Sequence, residues 1–244
     1  MFAEAVNPTL AESGVAHLLV EDLALPELSA DARHHLGTVR RLRDGDAITL
    51  GDGQGRWRVA VLRQANKSSG RAGLEIELAS EVFEEARQQP ELVIGYCLPS
   101  LDRAGWAIQK MTELGVDSVF LLHSAFSSAR RSGLEDGGHD YAKLQRVAGE
   151  ALMQSRSPFL TRLSPIRSLE SFVELYPQCG VCTAYGNDGL DPSFPVVVGP
   201  EGGFSASELG LFTRRIGLGK NVLRSETAAV VVAGVLSMER SGLL

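Results

Sequence analysis

Two stretches near the carboxyl end decide the fold: Val196-Val197-Val198-Gly199-Pro200-Glu201-Gly202-Gly203-Phe204-Ser205, and Leu218-Gly219-Lys220-Asn221-Val222-Leu223-Arg224-Ser225-Glu226-Thr227. In the first, residues 195–198 read as a short buried strand and the glycines as a loop. Ser205 reads as the N-cap of a helix over 205–216, because Glu208 three residues on completes a capping box. In the second, residues 221–223 read as a short strand leading into an apolar helix over 227–240. Strand, glycine loop and helix in that order put both loops at the carboxyl ends of strands, where glycine lets the backbone approach a ligand.

The alternation extends backwards. Strands are expected over 92–98, 116–122 and 181–185, with helices over 103–114 (closed by Gly115), 141–154 and 169–175. Such a sequence of elements predicts a parallel α/β sheet covered on both faces. The first eighty residues differ: short β-like runs at 16–20, 47–50, 56–63 and 74–78 are separated by turn clusters, as in a small barrel, with one helix over 29–41 capped by Ser29. The cluster Gly51-Asp52-Gly53-Gln54-Gly55 leads into the strand-like Trp57-Arg58-Val59-Ala60-Val61, so it reads as a hairpin turn and not a dinucleotide loop. A polar stretch, 84–89, closed by Pro90, marks the junction. The expected organisation is a β-barrel domain over 1–80, a linker over 81–90 and an α/β domain over 91–244.

Composition narrows the function classes. With 44% hydrophobic and 22% charged residues in 244, the chain has a globular composition, and no window reaches the roughly 18 apolar residues of a membrane span. The start, Met1-Phe2-Ala3-Glu4, lacks a basic region followed by an apolar one, so a cytoplasmic location is expected. Three cysteines argue against a disulfide framework. Cys179 and Cys182 form a C-x-x-C, but within a strand they face opposite sides, which favours ordinary core cysteines over a metal or redox pair; no metal is implied. The net charge of -6 disfavours a nucleic-acid partner, yet nine basic residues, from Arg33 to Arg71, face only three acidic ones there. That segment is a candidate basic face, or equally a solvated surface.

The loops themselves admit several ligands. A glycine loop before a helix suits a phosphate, but no G-x-x-x-x-G-K-[ST] is present and Glu201 would repel one. A cationic ligand such as S-adenosylmethionine suits Glu201 better, with valines, leucines and glycines supplying a slot for adenine. A plain strand-to-helix turn explains the glycines as well.

The pair of loops, taken with segments elsewhere, resembles the RsmE family of 16S ribosomal RNA uridine N3-methyltransferases. The segments are Lys110-Met111-Thr112-Glu113-Leu114-Gly115-Val116, Glu150-Ala151 with Gln154-Ser155, and, in the first domain, His34-His35-Leu36, Val39-Arg40 and Gly45-Asp46. The order is kept across nearly the whole chain. Leu98-Pro99-Ser100 and Arg156-Ser157-Pro158 depart from it, each carrying less positive charge than the family often has.

The resemblance implies a PUA-like RNA-binding barrel followed by a SPOUT domain, a trefoil-knotted parallel α/β fold that works as a homodimer. It implies S-adenosylmethionine held by Val198, Gly199, Pro200, Glu201, Gly202 and Gly203, and by Leu218, Gly219, Val222, Leu223, Arg224, Thr227 and Ala228; Tyr185, ending another strand, is placed at the pocket by geometry alone. The substrate would be 16S ribosomal RNA or the 30S subunit, gripped by Arg33, His34, His35, Arg40, Arg41 and Arg43, with Arg156. Arg224 is the candidate catalytic cation, stabilising the imidate that forms as the uracil N3 loses its proton. Glu226 accepts that proton, binds the methionine ammonium, or serves as a first-turn carboxylate favoured by the helix dipole. His123, at a strand end, is a weaker candidate. The competing readings are a ribosome-assembly factor that binds RNA without methyl transfer, and a SPOUT methyltransferase acting on tRNA or on ribose.

Overall fold

The computed structural model describes residues 10, 12–27, 42–64, 74–127 and 132–244. Contacts divide the chain into two units, the larger taking Gln88–Ala151 and Leu160–Leu244, the smaller Glu4–Arg87 together with Leu152–Phe159. The expected helix over 29–41 lies outside the described residues.

In the smaller unit, β1 (His17–Leu19) pairs in parallel with β2 (Ala47–Gly51), which forms a hairpin with β3 (Arg56–Gln64). β4 (Leu74–Leu78) and the short β5 (Phe83–Glu84) both pair antiparallel with β3, β5 at its start. Asp52 builds the β2–β3 turn: its carboxylate accepts from the backbone N–H of Gln54 at 2.7 Å and of Arg56 at 3.2 Å, while Gly53 and Gly55 take positive φ of 70° and 103°. The glycine cluster is therefore the hairpin turn its sequence predicts. Alternation fills the core, with Ile48, Leu50, Ala60 and Leu62 packing against Leu18, Val20 and Leu23. Trp57, of opposite parity to Ala60 and Leu62, lies 4.6 Å from the Phe83 ring and donates its indole N–H to Glu85 at 2.8 Å.

The larger unit is a six-stranded, wholly parallel sheet in the order β11-β9-β10-β6-β7-β8. Its strands are β6 (Val93–Cys97), β7 (Ser118–His123), β8 (Arg162–Ser168), β9 (Gly180–Cys182), β10 (Val196–Val198) and β11 (Arg214–Ile216). Between and after them run α1 (Leu101–Glu113), α2 (His139–Ser155), α3 (Leu169–Leu175), α4 (Ala206–Leu209) and α5 (Ser225–Arg240). Alternate residues of each inner strand feed opposite cores. Ile94, Tyr96, Val196 and Val198 join Ile108, Met111, Val232 and Leu236 on one side. Val93, Cys97 and Val197 join Leu169, Phe172 and Phe212 on the other. A continuous apolar strand such as β10 is what burial on both faces requires. The chain leaves β6 toward β7 on one side and returns to β10 on the other, so a topological switch point lies between β6 and β10.

Several elements differ from the sequence reading, among them β5, which falls in the expected linker. The helix expected over 205–216 closes after one turn, at Leu209, and residues 214–216 instead form β11. Gly210 caps the turn, Phe212 enters the second core, and the Arg215 backbone N–H donates to the Asp188 carboxylate at 2.6 Å. The strand expected over 221–223 is loop. β8 was unexpected, because Pro165 interrupts its pattern; the edge position, with a shift of register between Phe120 and Leu122, accommodates that proline.

Candidate active site

A cavity beside the switch point is built from the carboxyl ends of β9, β10 and β11. After β10 the chain turns through Gly199-Pro200-Glu201-Gly202-Gly203, with the Gly203 N–H bonded to the Pro200 carbonyl at 2.9 Å and Gly203 at a φ of 71°. A Cβ on Gly199 would stand 2.5 Å from the Phe204 ring, so only glycine lets that ring pack against the loop. The Ser205 side chain accepts from the Glu208 N–H at 3.3 Å and the Glu208 carboxylate accepts from the Ser205 N–H at 2.8 Å, completing the capping box. Glu208 also accepts from the Ala125 N–H at 2.7 Å. Burial alone would raise its carboxyl, but those backbone donors, the Ser205 hydroxyl and nearby His123 outweigh it and hold the group below its ordinary value.

After β11 the chain crosses the end of β9 closely: a Cβ on Gly217 would overlap the Gly186 carbonyl oxygen, and one on Gly186 the backbone of Ile216. It then forms the second wall, Leu218 to Leu223, in which Gly219 has a φ of 113° and open space where a side chain would stand. The third wall is Cys182, Thr183 and Ala184, which follow directly from the end of β9. Together they enclose about 270 Å³. Apolar groups of Val198, Phe204, Leu209, Leu218 and Leu223 line it alongside the backbone of Gly199, Gly203 and Gly219. This combination fits S-adenosylmethionine: an apolar slot for a flat ring, with glycine backbone bare enough for close approach. The Ser225 hydroxyl, at the start of α5, donates to the Gly199 carbonyl at 2.6 Å and so joins the first wall to the end of the second.

Beyond that join lies a shallower cavity of about 440 Å³, lined by Asp102, Arg103 and Trp106 of α1 and by Arg224, Glu226 and Thr227. Arg103 donates to the Glu201 carboxylate at 2.6 Å and lies 3.8 Å from that of Glu226. The negative charge that the sequence reading left for a cationic ligand at Glu201 is thus already met from α1. Arg224 is exposed, and its guanidinium makes no hydrogen bond or ion pair with a described residue.

A family model described as an RNA methyltransferase domain matches residues 86–237, and one described as an RNA methyltransferase PUA domain matches residues 28–74. Ribosomal RNA small subunit methyltransferase E of Mycobacterium tuberculosis is 30% identical over 236 residues, 88% of this chain and 87% of the relative. The chain belongs to that family. Its counterpart from Bacillus subtilis is 25% identical, covering 90% of this chain and 92% of the relative. The fold, a SPOUT-type α/β domain with a PUA-like domain, is shared with the Neisseria gonorrhoeae enzyme of the same name, solved bound to S-adenosyl methionine, at a TM-score of 0.75 and 23% identity over 92% of this chain and 96% of that one. A Legionella pneumophila protein solved with bound SAM matches at a TM-score of 0.77 and 23% identity, over 91% and 97%.

In this methyltransferase-family chain the expected cofactor residues divide between the cavities. Val198, Gly199, Pro200, Glu201, Gly203, Leu218, Gly219, Val222, Leu223 and Ala228 line the first. Arg224 and Thr227 line the second, with Glu226. Gly202 faces Phe126, whose Cβ would lie 2.8 Å from an added one. Tyr185 is 93% exposed and outside both linings, because β9 ends at Cys182, three residues earlier than its pattern suggests. Sequence reasoning missed Cys182, Thr183, Ala184, Phe204, Leu209, Asn221 and Ser225. Burial pushes the Cys182 thiol up to about 12 and the Cys179 thiol up to about 11, so both stay protonated. His123 lies beside Glu208 and lines neither cavity.

Of the expected RNA contacts, Arg33, His34, His35, Arg40 and Arg41 lie outside the described residues. Arg43 is exposed, beside the turn in which its own N–H donates to Asp46 at 2.7 Å. Arg156 has a φ of 56° and belongs to the smaller unit, near His17. The basic segment is less free than its count suggests: Arg56 pairs with Asp52 at 2.7 Å, Arg63 pairs with Glu77, and Arg58 donates to the carbonyls of Leu23 and Ser80.

Proposed function

We propose that this chain methylates N3 of a uridine in 16S ribosomal RNA, taking the methyl from S-adenosylmethionine. The observation that carries this reading is the adjacency of a glycine-walled apolar cavity to an uncommitted guanidinium, Arg224, in a member of a ribosomal RNA methyltransferase family. The first cavity would hold the cofactor through Val198 to Gly203 and Leu218 to Leu223, with Ala228 beneath. When bound, S-adenosylmethionine supplies an electrophilic methyl: the N3–CH3 bond forms as the sulfur–methyl bond breaks, its electron pair returning to sulfur.

The residues of the chain align and stabilise. Holding two reactants in line is worth roughly 7–11 kcal/mol in favourable cases. Arg224, with no competing partner, donates to a uracil carbonyl oxygen and stabilises the anion left when the N3 proton departs. Glu226 is the acceptor for that proton, since it lines the second cavity beside Arg224 and is absent from the lining of the first. Its first-turn position on α5 also favours a carboxylate.

The trefoil threading implied by the family resemblance belongs to this proposal and is supported by the glycine crossing of Gly186 and Gly217. So does the homodimer, supported by exposed apolar side chains at and just after the end of α5, Met238, Leu243 and Leu244. Arg33 to Arg43 and Arg156 remain the proposed RNA contacts. A ribosomal substrate argues for the cytoplasm, and no helix among the described residues is long and apolar enough to cross a membrane. The test is mass spectrometry of small-subunit RNA from cells lacking the protein. Loss of 3-methyluridine is expected, and an unchanged inventory would remove the target.

A further inference from the structure

The second cavity holds groups that the cofactor does not need. Trp106 is 47% exposed on α1, and its indole is the one large flat apolar surface in the lining. Across from α1 stand Arg224, a cation without a side-chain partner among the described residues, and a carboxylate, Glu226, whose Oε2 is buried with no hydrogen-bond partner among them while its Oε1 faces Arg103. A buried acceptor without a donor costs stability, and a ligand N–H would satisfy it. The two cavities also share a rim. Glu201 of the first is bonded to Arg103 of the second, and Leu223 and Ser225 of the first flank Arg224 of the second.

Resting on the methyl-transfer reading above, we propose that this second cavity is the target-base site: one unstacked pyrimidine lies on Trp106, its edge is read by Arg224 and Glu226, and Arg103 is a positioning residue that holds Glu226 and Glu201 in place. A single-stranded base is commonly gripped by an aromatic face and hydrogen bonds to its Watson–Crick edge. Uracil presents O4 as acceptor beside N3–H as donor. Arg224 donates to the first and Glu226 Oε2 accepts from the second. Cytosine reverses both, setting its N4 amine against a guanidinium and its N3 lone pair against a carboxylate. The pair therefore selects uracil by repelling cytosine as well as by bonding uracil.

The experiment uses the full chain with small ribosomal subunits from cells lacking it. Stacking of one base is worth about 1–3 kcal/mol, so Trp106→Ala should lower kcat/KM for subunits about tenfold or more. Its affinity for S-adenosylmethionine by calorimetry should stay within about twofold, and Trp106→Phe should recover most of the rate because stacking tolerates either ring. Arg103→Ala should lower kcat with an unchanged melting temperature, and Arg103→Lys should restore part of it. Wild-type kinetics in Trp106→Ala, or a Phe variant as poor as the Ala one, overturns the base site. So does a change of sedimentation species in Trp106→Ala, which would mean that a second copy of the chain covers the indole. A wild-type protein that binds no S-adenosylmethionine, or binds it and leaves the subunits unmethylated, sinks the methyl-transfer reading itself.

Discussion

Loop 199–205 is tied down on every side, and loop 217–224 is not. In the first, Gly203 bonds to Pro200, Glu201 to Arg103, Gly199 to Ser225, and Ser205 to Glu208, which reaches on to Ala125. In the second, Gly217 donates to the Asp188 carbonyl at 3.2 Å and Arg224 accepts from Ala228 at 2.8 Å. Between them the backbone N–H groups of residues 218–223 donate to no described group, and Val222 is 86% exposed. One wall of the cavity is built by folding. The other leaves its donors open to whatever enters, so a bound cofactor should order it further.

The largest effect should come from the loosely held side. Arg224 stands at the end of the second loop with its guanidinium uncommitted. Arg224→Ala should slow methyl transfer by about 10²–10³-fold, the usual cost of removing one donor to a developing anion. Affinity for S-adenosylmethionine should change little, since Arg224 is absent from the first cavity's lining. Single-turnover kinetics beside calorimetry separates the two, and a mutant turning over at the wild-type rate removes Arg224 from the mechanism.

Next comes the join between the loops. Ser225→Ala deletes the 2.6 Å bond to Gly199 and strands a carbonyl at the cavity wall. A loss of about 1–3 kcal/mol is expected, read as roughly tenfold weaker cofactor binding or more. Unchanged affinity would mean that the two walls are set independently. Hydrogen exchange gives the complementary measurement: added S-adenosylmethionine should protect residues 218–223 more than 199–205, and equal protection of both would erase the contrast.

The same contrast governs what the sequence disclosed. The capping box of Ser205 and Glu208 is local chemistry, and it was readable; so was the hairpin at Gly51 to Gly55, where Asp52 and the glycines specify the turn by themselves. β11 was hidden because Arg214, Arg215 and Ile216 continue an amphipathic run, and only Gly180 and Asp188, far back in the chain, make them a strand. Arg103 was hidden for the same reason: its partner Glu201 is 98 residues away, and nothing near it in sequence advertises the pair. The basic segment erred in the other direction. Counting charges overstated its freedom, since Arg56 pairs with Asp52 within the turn, and Arg58 and Arg63 are occupied by partners distant in the sequence. Local signals thus gave the walls of the site, whereas the cation that braces them came from tertiary contact alone.

The smallest predicted effect tests the tightest anchor. Glu208 is buried and ionised, and its carboxyl lies below its ordinary value, because the donors of Ala125 and Ser205 outweigh the cost of burial. A carboxylate with a depressed folded value contributes stability above the unfolded value, near 4.3, and loses it as pH falls through the lower folded one. Glu208→Gln keeps the shape but offers one acceptor oxygen instead of two. At pH 7 it should cost about 1 kcal/mol, in the range of a lost helix cap. Below pH 4 the melting temperatures of the variant and the wild type should converge as the carboxyl protonates. A gap that stays constant across that range would show that Glu208 acts by shape and not by charge. The first wall would then owe its rigidity to the glycine packing of Gly199 against Phe204 more than to its cap.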